Sequence, residues 1–195
     1  MIDYGVLHRA SEFYERRGYS RIETPWLVSR GISEITKPAD RPNYLIRRET
    51  QDVEKAFVAS GEQGFLHLIN KGHLPKRGRF QTITPCLRPD AFGVYHTKYF
   101  MKLELIEYDT ESPIIEPINR VRAVLKDARE FFEGELYPRH RESLTETVTG
   151  PLSLDLDLDG VEVGSYGARS CKFTNWIYGT GVAEPRFSRV RGNLK

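Results

Sequence analysis

The 195-residue sequence is poor in sulfur, with two methionines and two cysteines, Cys86 and Cys171. The cysteines have no metal-ligand spacing, and nothing demands a disulfide, so both thiols are expected reduced and buried. The five histidines are scattered, which speaks against a histidine-based metal site. An excess of one charge is also missing. Lys and Arg number 29 and Asp and Glu 27, a formal net charge of +2. That balance gives no independent ground for nucleic-acid binding and reads as a solvated surface. No apolar run approaches the roughly 20 residues of a membrane span. Residues 1–4 lack a basic-then-apolar signal pattern. A cytoplasmic location with no membrane partner is therefore expected. Internal repeats and low-complexity segments are absent as well.

What is present is an ordinary balance of 39% hydrophobic and 29% charged residues, enough for one domain over 1–195 with its own core. Residues 6–17 predict an amphipathic helix, because Val6, Leu7, Ala10, Phe13 and Tyr14 recur at helical spacing, and Gly18 stops it. Residues 19–25 alternate as a strand ended by Pro25, which lacks a ladder donor and marks an edge or an interface. The turn-rich stretch 29–43 reads as a loop. Residues 55–60 predict a short strand, and Gly61-Glu62-Gln63-Gly64 leads into a helix over 65–74. Two alternating segments, 80–87 and 100–108, form the arms of a hairpin. The clearest helix is 116–136, with Ile118, Val121, Val124, Leu125, Ala128, Phe131 and Phe132 in one stripe and Pro117 in its first turn. Residues 138–150 read as charged and irregular. Over 152–158 leucines alternate with polar residues as a strand, Asp159-Gly160 signals a turn, and 161–164 returns. Helices and strands mix without a βαβ rhythm. The expected class is α+β, a mainly antiparallel sheet flanked by helices.

Chemistry concentrates on the first hairpin. Arg88 ends one arm, and the loop from Pro89 and Asp90 to His96 follows. The other arm returns with Phe100 and Glu104 on one face, since alternate strand residues share a face. An arginine, a histidine, an aromatic ring and a carboxylate suit a polyphosphate with a flat base attached. On the second hairpin Asp155 and Glu162 lie near each other. Two close carboxylates repel unless a cation joins them. Mg²⁺ between them and a phosphate is one reading, and a solvated acidic face, to which Asp157 and Asp159 are assigned, is the other. Glu62 stands at a helix start, where it either caps free N–H groups or meets a ligand. In 178–186 two glycines two residues apart admit close approach of a ligand or another strand. Pro185 suits the first helical position, so Arg186 would project from a helix start.

Taken in order, these segments resemble the catalytic core of the class II aminoacyl-tRNA synthetases. The first motif is the helix followed by Gly18-Tyr19-Ser20-Arg21-Ile22-Glu23-Thr24-Pro25. The second is Leu87-Arg88-Pro89-Asp90, a loop, His96-Thr97-Lys98-Tyr99-Phe100, then Glu104. The third runs from Gly179-Thr180-Gly181 to Arg186. The stretch from Asp155 through Gly160, Glu162 and Ser165 to Arg169 resembles the aspartyl, asparaginyl and lysyl subgroup. The resemblance implies ATP and Mg²⁺ as cofactors. Arg88 would bind the α-phosphate and the substrate carboxylate, and His96 the outer phosphates. Phe100 would stack on adenine, and Arg186 would cover its other face or meet the γ-phosphate. Asp155 and Glu162 would hold Mg²⁺. Glu62 and Glu104 would grip the α-amino group, Arg169 matches a side-chain-selecting arginine of the aspartyl and asparaginyl enzymes, and Ser165 would complete the amino-acid site.

The departures are also specific. Ala183 stands where the third motif usually has its last glycine. Phe65 stands where the aspartyl enzymes place a lysine, which weakens aspartate and leaves asparagine or another polar amino acid open. Pro89-Asp90 replaces a polar residue and a glutamate. The length leaves no room for an anticodon-binding domain. The expected activity is ATP-dependent amino-acid activation with transfer to a non-standard acceptor: ammonia or an amine, a protein, or a tRNA or tRNA-like RNA. Pairing as a homodimer through 6–25 is expected. The alternative is a catalytically inactive paralogue acting as a binding or regulatory protein.

Overall fold

The computed structural model of the protein describes residues 1–48, 51–89, 93–138, 140 and 143–194, with backbone alone at 47, 48 and 51–53. Asp90 lies outside the described residues. The elements are α1 (Tyr4–Glu15), β1 (Ser20–Arg21), β2 (Leu27–Ser29), α2 (Arg30–Thr36), β3 (Leu45–Arg48), β4 (Gln51–Phe57), α3 (Gly61–Asn70), β5 (Arg77–Leu87), β6 (Tyr99–Asp109), α4 (Pro117–Leu136), β7 (Leu144–Gly150), β8 (Ser153–Leu158), β9 (Val161–Cys171), β10 (Thr174–Glu184) and α5 (Arg186–Asn193). Seven strands form one sheet in the order β1-β5-β6-β10-β9-β8-β7, and β2-β4-β3 form a second of three. Only β1 runs parallel to its neighbour β5; every other pairing is antiparallel. The α+β class with a mainly antiparallel sheet is thus the observed one.

The strand pleat sorts side chains to two faces. On one face Leu103 and Leu105 of β6, Leu154, Leu156 and Leu158 of β8 and Ile177 of β10 meet the apolar stripes of α1 and α4. That stripe on α4 is the expected one, with Val121, Val124, Leu125, Ala128, Phe131 and Phe132 all buried. Each such side chain contributes about 1.5–3 kcal/mol by leaving water. On the other face Phe80, Ile106, Tyr108, Trp176 and Tyr178 cover one end of the sheet with Val28, Ile32, Phe65 and Leu66. The opposite end of that face is left for a cleft.

Several local expectations are corrected. Residues 29–43 are not all loop, because Arg30–Thr36 form a helix with only Ile32 and Ser33 buried. Seven residues with one buried apolar side chain carry too little periodicity to be seen. The strand after α1 shrinks to Ser20–Arg21. The segment before α3 pairs over Gln51–Phe57 rather than 55–60. The helix starts at Gly61, and Gly61-Glu62-Gln63-Gly64 are its first turn. Part of 138–150 is the edge strand β7, whose side chains from Thr145 to Thr149 are exposed and so show no alternation. Cys171 is half-buried rather than buried, and both cysteines are free thiols. Pro185 precedes the first helical residue instead of occupying it, and Arg186 does open a helix.

The glycines of β10 approach the helix layer, not a ligand. A Cβ on Gly179 would meet Val124 at 2.7 Å, and one on Gly181 would meet Tyr14 at 2.8 Å and also Leu103. The Tyr14 hydroxyl donates to the Gly181 carbonyl at 3.1 Å. A shift in the pairing with β6 between Thr180 and Val182 puts Gly181 and Val182 against the helices, while Thr180 and Ala183 face the cleft. Overpacking here has no room to relax. Gly181→Val is expected to destabilise the fold by about 1–3 kcal/mol, read as a lower midpoint in urea unfolding at unchanged slope.

Candidate functional site

A cleft of about 530 Å³ opens on the sheet face opposite α1 and α4. It is lined by Arg88, His96, Phe100, Glu62, Glu104, Glu162, Ser165, Arg169 and Arg186. These are all the residues assigned a site role from the sequence except Asp155. Strands β6, β9 and β10 supply the floor, and α3 and the 36–43 segment supply one wall.

At one end Arg88 leaves the last pair of the β5–β6 hairpin. Its Nε donates to the Ala59 carbonyl at 3.0 Å, and its guanidinium lies 5.1 Å from the centre of the Phe100 ring. The stem is thereby fixed, and the terminal nitrogens are turned to the cleft. Phe100 is 9% exposed and rests on Cys86 and Ala183. The methyl of Ala183 is therefore absorbed beneath the ring. The Cys86 thiol is pushed up to about 12 by burial and is no nucleophile. Arg186 donates from Nη1 to Glu162 Oε1 at 2.9 Å and to the Glu162 carbonyl at 3.1 Å. Its helix is anchored by Glu184, fully buried, which accepts from Ser188 N at 3.1 Å, Ser188 Oγ at 2.9 Å and Asp3 N at 3.3 Å.

The second hairpin corrects one detail. The register from the turn sets Glu162 opposite Asp157, and a slip between Leu156 and Asp157 sets Asp155 opposite Ser165. Asp157 is half-buried and accepts from Thr147 Oγ1 at 2.6 Å, so it is not a freely solvated group. Asp159 is exposed in the expected turn with φ 52°. The Asp155 carboxyl is held above its ordinary value, first by burial, then by the charges of Glu162 and Asp157, against a hydrogen bond from Ser165. A cation would relieve that repulsion. Among the described residues no three His, Cys, Asp or Glu side chains cluster as a metal site. Mg²⁺ held by one or two carboxylates and by phosphate oxygens does not need such a cluster, so Asp155 and Glu162 fit the ion.

At the other end Ser60 is the N-cap of α3; its Oγ accepts from Glu62 N at 3.4 Å. Capping therefore falls to Ser60, and the Glu62 carboxylate crosses to Arg169 Nη1 at 2.6 Å. Burial, the largest effect, raises the Glu62 carboxyl above its usual range, opposed by Arg169. The Arg169 guanidinium also lies 4.3 Å from the Tyr178 ring centre. Glu104, fully buried, accepts from Ser60 Oγ at 2.5 Å and from Lys102 Nζ at 2.8 Å. Helix α3 sits so close to the sheet that a Cβ on Gly61 would lie 2.9 Å from that of Glu104. Phe65 does not line the cleft; it is wholly buried among Val28, Ile32 and Leu66. It sits one turn along from Gly61 and points into the core, so it carries no information on the amino acid.

Lys102, Ser60, Tyr178 and Glu184 escaped the sequence reading. Lys102 was within its reach, since it alternates with Phe100 and Glu104 on one face. Glu184 carried no signal, its partners being 4 and 181 residues away.

The His96 imidazole is held below its ordinary value by desolvation first, then by Arg186 and Arg88. A bound polyphosphate reverses the local potential and raises that value, so binding takes up a proton. ATP affinity of the native protein relative to His96→Ala is expected to increase from about pH 8 to about pH 6, measured by calorimetry across that range.

No protein-family model matches the chain. The phenylalanine–tRNA ligase α subunit of Legionella pneumophila strain Lens is 25% identical over 199 residues, covering 92% of this chain and 52% of that protein. The chain thus spans about half the length of the curated relatives it matches. Among solved structures, the pyrrolysyl-tRNA synthetase PylSc of Desulfitobacterium hafniense superposes with a TM-score of 0.72 at 13% identity, covering 98% of this chain and 67% of that one. The cytoplasmic serine–tRNA ligase of Naegleria fowleri, in complex with AMP, gives 0.69 at 15%, covering 95% and 52%. The seryl-tRNA synthetase of Pyrococcus horikoshii, complexed with ATP, gives 0.69 at 17%, covering 95% and 49%. The chain has the class II aminoacyl-tRNA synthetase fold.

Proposed function

We propose that the chain is an ATP-dependent ligase that activates a polar amino acid as its adenylate. The observation that carries this reading is the joining of Arg88, Phe100 and Arg186 at one end of a single cleft with Glu62, Glu104 and Arg169 at the other. Adenylate formation is an in-line attack by a carboxylate oxygen on the α-phosphorus, with pyrophosphate leaving. It needs no protein nucleophile, only alignment of two substrates and positive charge where the phosphorus gains oxygen.

Each side chain has a part. Arg88, already fixed at its stem, offers terminal N–H groups to the α-phosphate and the substrate carboxylate in a bidentate geometry that lysine lacks. Phe100 gives the base a flat apolar surface. Arg186 exchanges the Glu162 carboxylate for phosphate or base. Asp155 and Glu162 would hold Mg²⁺, which when bound stabilises the pyrophosphate leaving group. Glu62 and Glu104 accept from the α-ammonium, with Ser165 beside them. The aspartyl–asparaginyl–lysyl likeness rests on residues 155–169, whereas the relatives found are seryl, pyrrolysyl and phenylalanyl enzymes. The acceptor is read as an amine, a protein or a tRNA-like RNA.

A catalytically silent binding protein is the second reading, favoured by Ala183 packed under Phe100 where a glycine is usual. Pyrophosphate exchange with each amino acid separates the two. One amino acid is expected to support Mg²⁺-dependent exchange, lowered about 100-fold or more in Arg88→Ala. Absence of exchange with every amino acid, from folded protein, would refute the enzyme. A homodimer through 6–25 is kept as part of the proposal, with exposed Tyr4 and Trp26 flanking that segment. Sedimentation equilibrium is expected to give twice the mass of 22.5 kDa, and Trp26→Lys to shift it toward the single chain.

A further inference from the structure

One transverse row of residues crosses the cleft floor. The ladders set Glu104 of β6 opposite Thr180 of β10, and Ser165 of β9 opposite Asp155 of β8. Ladder partners share a face of the sheet, and Glu104, Thr180 and Ser165 all line the cleft. Between Thr180 and Ser165 the ladder is interrupted. The pairing of β9 with β10 ends at Tyr166 and Gly179, just where β10 bulges against β6. A side chain closes the gap. Thr180 Oγ1 accepts from Ser165 N at 3.2 Å and donates to the Ser165 carbonyl at 3.4 Å. It stands in for the pair of bonds that a hydrogen-bonded ladder partner exchanges. Thr180 is itself held, because its carbonyl accepts from the Tyr166 hydroxyl at 2.9 Å. Farther along the same seam the link is Arg186, which donates to the Glu162 carbonyl and carboxylate. That link is given up when Arg186 turns to a phosphate or a base.

We propose that Thr180 is a positioning residue that keeps the two halves of the cleft floor in register for the reaction. The proposal rests on the amino-acid-activating reading given above and deepens it. One half is β6, β10 and α5, which carry Phe100, Glu104 and Arg186. The other is β8 and β9, which carry Asp155 and Glu162. Attack of a carboxylate on the α-phosphorus draws on both halves, the base and the ammonium on the first and the phosphate-side carboxylates on the second. As far as Gly179 the β9–β10 ladder joins them. Beyond it their spacing on the cleft side depends on the Thr180 hydroxyl. That hydroxyl is committed to backbone, so it acts on alignment rather than on substrate. A misplacement of about 1 Å is enough to cost about 100-fold in rate. Valine has nearly the shape of threonine but leaves the Ser165 N–H and carbonyl without this partner. Serine keeps the hydroxyl.

The test compares Thr180→Val and Thr180→Ser in the full chain, with the amino acid that supports pyrophosphate exchange in the native protein. In Thr180→Val, kcat is expected to fall about 10-fold or more, while KM for ATP and for the amino acid each stay within about 3-fold. Calorimetry is expected to show the same split without turnover. ATP alone binds Thr180→Val as it binds the native protein, whereas the sulfamoyl-adenosine mimic of the adenylate, which spans both halves, binds about 10-fold more weakly. Thr180→Ser is expected to recover most of both losses. If Thr180→Val fails to fold, Thr180→Ala takes its place with the same expectation, since a water there pairs with Ser165 without fixing the spacing. Native kcat in folded Thr180→Val or Thr180→Ala, or a loss in Thr180→Ser as large as in Thr180→Val, overturns the role of Thr180 and leaves amino-acid activation standing. A loss of ATP affinity equal to that of the mimic marks general damage to the site and overturns that role too. Absence of exchange with every amino acid in the native protein overturns the underlying reading as well.

Discussion

Along β6 the odd residues Met101, Leu103 and Leu105 are pressed into the apolar layer of α1 and α4, and the even residues Phe100, Lys102 and Glu104 stand in the cleft. The two environments are tied together by the pleat. A one-residue slip would send two charges into the helix layer and two leucines into the cleft. Register is therefore strongly specified here, and β5 and β10, paired on either side, inherit it. The shift at Thr180–Val182 lets β10 keep both Gly181 and Val182 inward while Thr180 and Ala183 still face the cleft. The position of Arg186, just beyond the strand, follows from that adjustment.

Electrostatics then fixes what the pleat has placed. Two carboxylates this deeply buried are costly unless each meets a partner. Glu104 finds Lys102 and Ser60, and Glu62 finds Arg169. These pairs join α3, β6 and β9 across the cleft floor. Arg186 and Glu162 do the same at the rim, where greater exposure makes the pair easier to exchange. The floor is thus set in advance of any ligand, and the phosphate end keeps its freedom.

Much of this was legible from spacing. The α4 stripe, the two hairpins, the Asp159-Gly160 turn and the shared face of Phe100 and Glu104 all follow from periods of 3.6 and 2. What stayed hidden has physical reasons. Helix α2 buries only Ile32 and Ser33, and β7 faces water along most of its length, so neither leaves a pattern. The pairing of Asp155 with Ser165 depended on a slip that no residue type announces. The meeting of Glu62 with Arg169 spans 107 residues, and only the folded sheet brings them together. The reading of Phe65 rests on the resemblance to the aspartyl enzymes, and the burial of its ring among Val28, Ile32 and Leu66 appears only in the packed fold.

The bond from Tyr14 to Gly181 and that from Asp3 to Glu184 bear on how the molecule assembles. They span 167 and 181 residues. Helix α1 also packs on β5 and β6, but its docking is completed only when β10, 167 residues along the chain from Tyr14 at Gly181, is in the sheet beside β6. Hairpins β5–β6 and β8–β9 can close early, because their loops are short. The helix layer cannot. Full burial of its apolar stripe waits for β10, and the topology carries the slow folding of sequence-distant contacts.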